Sequence, residues 1–175
     1  MKSGTIIAFH SKYKTKHLFT KPLHYVIQIF TGSKFHHAGI ICNDWYYEAM
    51  GSYGVRKIRL AQKIEEIDDC VFPYFFSLTN ILTKEQEDSL ERDLDAQVGK
   101  KFSAWQAFLS ILTAIIIFDK DDIKTKKMFC SKLVVYAMLN LHPKKLFNIL
   151  PRHFNPEEAI KLLREHNIIK EGVAL

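Results

Sequence analysis

The pattern of hydrophobic and polar positions divides the chain into a first half rich in strand signals and a second half rich in helix signals. Short apolar runs with many β-branched and aromatic residues, bounded by turn-forming residues, predict strands. In the last of these runs Pro73 predicts an edge or irregular strand, because proline cannot donate a hydrogen bond to a neighbouring strand. The predicted strands cover residues 4–10, 35–42, 45–50, 55–60 and 70–76.

The helix signals are capping residues combined with apolar residues at helical spacing. Thr83, followed by acidic residues, predicts a helix start, and Gly99 predicts its end. Asn155 as a cap, with Pro156 at the first helical position, predicts a helix near the C-terminus. Apolar spacing predicts helices at residues 103–118 and 128–141, and a short helix at 24–30.

A run of strands followed by a run of helices indicates an α+β fold. The length of 175 residues is enough for one hydrophobic core. Because no internal repeat and no linker rich in Gly, Ser or Pro divides the chain, we expect a single domain over residues 1–175.

Residues 35–50 predict a hairpin that presents a histidine and a carboxylate on one face. With a two-residue turn at residues 43–44, Gly39 lies opposite Glu48, and His37 is the diagonal neighbour of Glu48. Gly39 then leaves room for the carboxylate to lean towards the ring. A carboxylate bonded to one ring nitrogen orients the imidazole and leaves the other nitrogen for a nucleophile. The alternative is a half-exposed histidine without a chemical role.

Cys130 lies at the predicted start of a helix, where free amide groups stabilise a thiolate. The neighbouring lysines 126, 127 and 132 add positive charge. The alternative is a small buried hydrophobic residue, which is the usual environment of a free cysteine. Cys42 and Cys70 have no helix N-terminus, so we expect both to be structural. Three cysteines do not complete a disulfide framework, which favours a reducing compartment.

The net charge of +6 is partly clustered, at lysines 12–21 and 124–127. Such clusters fit an anionic membrane surface or an acidic substrate, and also an ordinary solvated surface. No nucleic-acid-binding signature accompanies them, so nucleic acid is not a favoured partner. The apolar residues 102–118 fall short of a comfortable membrane span, and the N-terminus lacks the apolar core of a secretory signal. We therefore expect a cytoplasmic protein in which this segment is a buried helix or binds an acyl chain.

Several segments, in this order, carry a family resemblance: GTIIAF (4–9), HAGII (37–41), YEA (47–49), VGKKF (98–102) and FCSKLV (129–134). They resemble the circularly permuted NlpC-like cysteine peptidases of the YiiX/YaeF-like branch, which is similar to a poxvirus protein group. The resemblance implies a papain-like fold, with an antiparallel sheet packed against helices and the cysteine helix after the sheet in sequence. It also implies a catalytic triad of Cys130, His37 and Glu48.

These residues predict a cysteine hydrolase or acyltransferase that cleaves an amide or ester through a thioester. A peptide, a lipid-linked group, an isopeptide or an acylated small molecule fits as substrate. One alternative is a catalytically weak or inactive lipid- or peptide-binding protein with the same fold, and another is a nucleic-acid-binding module. His36, His37 and Cys130 do not have a recognised zinc spacing, so neither a metal nor a cofactor is predicted.

Overall fold

The structure is a computed structural model that describes residues 1–11, 33–51, 53–67, 71–102, 127–146 and 155–174. Three features predicted from the sequence lie outside this part of the chain. They are the short helix at 24–30, the apolar helix at 103–118 and Cys70. Most of the clustered lysines also lie outside it.

Six strands form one sheet in which every neighbouring pair is antiparallel. Their order across the sheet is β4-β3-β2-β1-β5-β8. Two further short strands, β6 and β7, pair in parallel. The bounds are β1 Ile6–Ser11, β2 His37–Cys42, β3 Trp45–Met50, β4 Gly54–Arg59, β5 Val71–Phe76, β6 Lys101–Phe102, β7 Lys127–Met128 and β8 Val173–Ala174.

Five helices are present in the described residues, and the predicted caps start two of them. Thr83 and Asn155 each form a capping box, with Gln86 and Glu158 respectively as the reciprocal partner. The bounds are α1 Leu60–Glu65, α2 Lys84–Asp95, α3 Cys130–Leu141, α4 Pro143–Leu146 and α5 Pro156–Glu165. The α+β class, with an antiparallel sheet packed against helices, is confirmed.

The helix α3 packs its apolar side against β2. Ala38 and Ile40 of β2 share a buried cluster with Leu133 and Val134 of α3. Fully burying one aliphatic side chain contributes about 1.5–3 kcal/mol, so several such contacts fix α3 on this face of the sheet. The opposite face carries a smaller buried cluster formed by Ile7, Phe9, Ile41 and Tyr46.

The structure differs from the predicted elements at two boundaries. The strand predicted at 55–60 ends at Arg59, and Leu60 begins the helix α1. The helix α2 ends at Asp95, and Gly99, with φ of 84°, lies in the turn that follows.

β5 has β1 on one side, whereas β8 pairs only with Tyr74 and Phe75 on the other. Within the described sheet β5 is therefore an edge at Pro73, as proline requires.

Candidate active site

The hairpin of β2 and β3 has the register that the two-residue turn predicts. Gly39 pairs with Glu48, and Cys42 pairs with Trp45. Asn43 has φ of 53°, the left-handed conformation that two-residue hairpin turns need. As a result the His37 ring reaches Glu48 on the shared face, and His37 Nε2 lies 2.7 Å from Glu48 Oε2.

The space above Gly39 is filled, contrary to the expectation that this glycine leaves room for a carboxylate. A Cβ atom at position 39 would overlap the hydroxyl and ring of Tyr46. Tyr46 is fully buried, and its hydroxyl has no hydrogen-bond partner among the described residues. Gly39 therefore admits a tyrosine ring beside the site rather than the carboxylate of Glu48.

Glu48 is a buried carboxylate that accepts hydrogen bonds from three side chains. Besides His37, Arg56 Nε lies 2.7 Å from Oε1, and Lys63 Nζ lies 2.8 Å from Oε2. The Glu48 side chain has no solvent exposure. A buried charge of this kind needs paired and hydrogen-bonded partners, and here those partners belong to β2, β4 and α1.

Cys130 is the first residue of α3, where the backbone N–H groups of the first turn have no partner within the helix. The His37 side chain lies close enough to the thiol to lower its pKa by hydrogen bonding and charge. Hydrogen bonding from the backbone of Ala38 and Ser131 shifts the pKa in the same direction. Because His37 Nε2 faces Glu48, Nδ1 is the ring nitrogen left for the thiol. The structure thus brings Cys130, His37 and Glu48 together in one chain of contacts.

The contacts of the pair favour a thiolate beside an imidazolium. Burial lowers the pKa of His37, but hydrogen bonds and charges from Cys130 and Glu48 outweigh it and raise the pKa from 6.5 to about 9. Burial raises the pKa of the Cys130 thiol, but the His37 hydrogen bond and charge outweigh it, so that the pKa falls below its ordinary value. These opposite shifts are what proton transfer from sulfur to imidazole requires.

A solved structure gives the shared fold. Metalloprotein YiiX from Escherichia coli O157:H7 matches with a TM-score of 0.55 and 19% sequence identity, over 98% of this chain and 87% of that one. The chain has a YiiX-like fold. No protein-family model matches the sequence, and no curated protein matches it.

The environment of Cys42 contrasts with that of Cys130 in this YiiX-like fold. Cys42 is fully buried, and its thiol points at the backbone oxygen of Glu87, 3.7 Å away. Burial, followed by the charge of Glu91, raises the pKa of Cys42 to about 11. A thiol of this kind is protonated at neutral pH and therefore unreactive.

Sequence reasoning missed three side chains that hold the site together. Phe9 stacks on the His37 ring with 5.7 Å between ring centroids, and Arg56 and Lys63 bind Glu48. Arg56 could have been found by extending the hairpin argument to β4, because it pairs directly with Glu48. For Lys63 the only signal was the helical spacing of Leu60, Ile64 and Ile67, which suits a helix better than the end of a strand.

Proposed function

We propose that this protein is a cysteine-dependent hydrolase or acyltransferase that cleaves an amide or ester bond through a thioester on Cys130. The observation that carries the proposal is the contact chain from the thiol of Cys130 through the His37 ring to Glu48. The placement of Cys130 at a helix N-terminus supports the nucleophilic role. Membership of the permuted NlpC-like superfamily, with its papain-like fold, is part of this proposal.

In the first step the thiolate of Cys130 attacks the carbonyl carbon of the substrate. A carbon–sulfur bond forms, and the carbonyl π electrons move to the oxygen. When the tetrahedral intermediate collapses, the bond to the amine or alcohol breaks, and His37 donates its Nδ1 proton to the leaving group. Glu48 holds Nε2–H and stabilises the imidazolium before that transfer.

In the second step His37, now neutral, accepts a proton from water or from an acceptor amine or alcohol. The activated oxygen or nitrogen attacks the thioester, and the carbon–sulfur bond breaks to regenerate the thiolate. The oxyanion of each intermediate fits the N-terminus of α3, where the backbone N–H of Cys130 is available in the first turn. Water as acceptor gives a hydrolase, and another nucleophile gives an acyltransferase.

The word metalloprotein in the description of YiiX raises the question of a metal at this site. Among the described residues no group of three or more His, Cys, Asp or Glu side chains is arranged to hold a metal ion. Both oxygens of Glu48 accept hydrogen bonds from Arg56, Lys63 and His37. A cation at Glu48 would have to displace these donors, so the described residues do not fit a metal, and no step of the proposal uses one.

The proposed reaction accommodates several classes of substrate. A peptide, a lipid-linked group or an acylated small molecule fits the reaction, and the acyl-binding role predicted for residues 103–118 concerns residues outside the described part. Within the described ranges, no helix has the length and apolar character to cross a bilayer. An anionic membrane surface is proposed as a partner because of the lysine clusters in the sequence.

The proposal is tested by trapping the thioester. Wild-type protein is mixed with p-nitrophenyl acetate or octanoate at pH 7, quenched in acid and examined by intact and peptide mass spectrometry. We expect an added acyl mass on the peptide containing Cys130, which hydroxylamine removes because thioesters react with it. Cys42→Ala keeps the adduct, and Cys130→Ala loses it together with turnover.

Two other outcomes would count against the proposal. If Cys130→Ala hydrolyses the esters as fast as the wild type, the cysteine is not the nucleophile and the proposal fails. If neither protein reacts, and both bind vesicles or acyl peptides equally well, the protein is the inactive lipid- or peptide-binding form of this fold.

A further inference from the structure

Two basic side chains converge on Glu48 although the proposed chemistry needs only His37 there. Lys63 comes from α1, and its ammonium lies 2.8 Å from Glu48 Oε2. Arg56 comes from β4 and bridges two acids, because its Nε binds Glu48 and its Nη2 lies 2.6 Å from Glu66 Oε2. Two cations thus meet two carboxylates in one continuous network.

The burial of Lys63 excludes a direct contact with substrate. Its side chain is 10% exposed. The ammonium also lies over the rings of Phe9 and Tyr46, at 5.1 and 5.4 Å from their centroids. These rings and Glu48 surround the charge, so that Lys63 can act only through its neighbours.

We infer that Lys63 and Arg56 are positioning residues, which fix the Glu48 carboxylate against His37 and so set the pH at which the Cys130 thiolate forms. The inference rests on the proposed function, because it assigns a role within the same Cys130–His37–Glu48 site. It makes α1, a helix that contains none of those three residues, part of the machinery.

In the part of the chain that the structure describes, the charged and titratable groups recorded around Glu48, His37 and their partners come from several elements. They are Cys130 of α3, Arg56 of β4, Lys63 of α1 and Glu66 directly after α1, with the Tyr46 hydroxyl of β3 nearby. Removing the positive charge of Lys63 acts on the thiol through Glu48 and His37. The imidazolium that stabilises the thiolate loses a fixed Glu48 as its partner, and we expect this loss to outweigh the loss of repulsion between Lys63 and the imidazolium, so that the pKa of Cys130 rises.

The test is the rate of alkylation of Cys130 by iodoacetamide from pH 4 to 10, read at the Cys130 peptide. The alkylation rate rises with pH as the thiolate forms, and the midpoint of this rise is the quantity compared. We expect Lys63→Met to move this midpoint to higher pH by about half a pH unit or more, the size of effect expected for a nearby charge. Lys63→Arg keeps the charge and the donors and restores the wild-type midpoint. Arg56→Gln moves the midpoint in the same direction and provides a second variant if Lys63→Met does not fold.

Lys57→Met is the matched control, since it removes the same kind of lysine from β4 but one whose ion pairs and ring contacts are with other residues. Lys57 Nζ lies 2.9 Å from Asp95 and 3.1 Å from Glu91, and it stands over Trp45 and Tyr47. We expect its loss to lower stability without moving the alkylation midpoint. A midpoint shift in Lys57→Met as large as that in Lys63→Met would overturn the inference.

Failure of the inference and failure of the proposed function give different results. If wild-type Cys130 reacts only at the pH of an ordinary thiol, the proposed function fails. If the wild type reacts at lower pH, and neither Lys63→Met nor Arg56→Gln changes the midpoint, the proposed pair stands and the positioning role is wrong.

Discussion

At the scale of single residues, the site depends on a few side chains whose environment decides their charge. Burial raises the pKa of Glu48, but the hydrogen bond and charge of His37, followed by those of Lys63, outweigh it and hold the pKa well below its ordinary value of 4.5. An ionised Glu48 in turn keeps His37 protonated. Each charge in the network is therefore stabilised by its oppositely charged neighbours, and removing one charge affects the others.

The depressed pKa of Glu48 predicts a loss of stability in acid. The folded state keeps this carboxylate ionised below pH 4.5, where the unfolded state binds a proton, so stability falls as pH drops below about 4.5. Glu48→Gln removes this dependence and, because it leaves the buried Lys63 ammonium without its carboxylate and Arg56 with Glu66 alone, costs about 3–5 kcal/mol at pH 7. Urea unfolding of the wild type and Glu48→Gln at pH 3 to 7 measures the free energy of unfolding of each protein and its pH dependence. Parallel pH profiles for the two would contradict the account.

The close packing of Tyr46 over Gly39 leads to a prediction about the stability of the fold beside the site. In Gly39→Ala the new methyl group collides with Tyr46, and overpacking of a well-packed site costs about 1–3 kcal/mol. Urea unfolding measures the change. Gly51→Ala is the matched control, because the nearest atom its methyl group would meet belongs to the Phe102 ring, 4.0 Å away. Equal stability of the two variants would show that Tyr46 moves aside freely.

At the scale of elements, local signals specify the hairpin and the capped helices, and long-range packing decides the rest. The turn at Asn43 fixed the register of β2 and β3, and through it the place of Glu48 beside His37. The start of α2 followed from Thr83 and that of α5 from Asn155. These features could be predicted because each depends on residues that are close in sequence.

The contact between α3 and β2 could not be predicted from residues that are close in sequence. Nothing in the local pattern around Cys130 specifies that the late helix packs on Ala38 and Ile40, so the predicted pairing with His37 came from the family resemblance alone. Lys63 was missed for a related reason. The sequence pattern places residue 60 at the end of a strand and does not predict α1, although this helix carries the lysine that reaches Glu48.

The cap of α2 separates the stability of the fold from the chemistry of the site. Thr83→Ala removes the hydroxyl that accepts the Gln86 N–H, and loss of such a cap costs about 1 kcal/mol. Because Thr83 caps a helix that contains none of the site residues, we expect the alkylation rate of folded Cys130 to stay at its wild-type value. Chemical denaturation and iodoacetamide labelling test the two halves of this prediction. A cap loss that slowed labelling would mean that α2 also holds the site.

At the scale of the whole molecule, the site is assembled from residues of the sheet and from the helix α3. The sheet carries His37, Glu48 and Arg56 on neighbouring strands, and α3 delivers Cys130 from the other half of the sequence. The apolar side of α3 lies on one face of the sheet, whereas Phe9 and Tyr46, near His37, belong to the cluster on the other face. His37 is the first residue of β2 and Cys130 is the first residue of α3. The site forms where the starts of these two elements come together.

The most direct measurement of the central claim is the pH dependence of Cys130 alkylation in the wild type and in His37→Ala. We predict that wild-type Cys130 reacts with iodoacetamide well below pH 8, that His37→Ala reacts slowly until the pH of an ordinary thiol, and that Cys42 stays slow in both. Slow labelling of both cysteines with the same pH profile, unchanged by the loss of His37, would contradict the account.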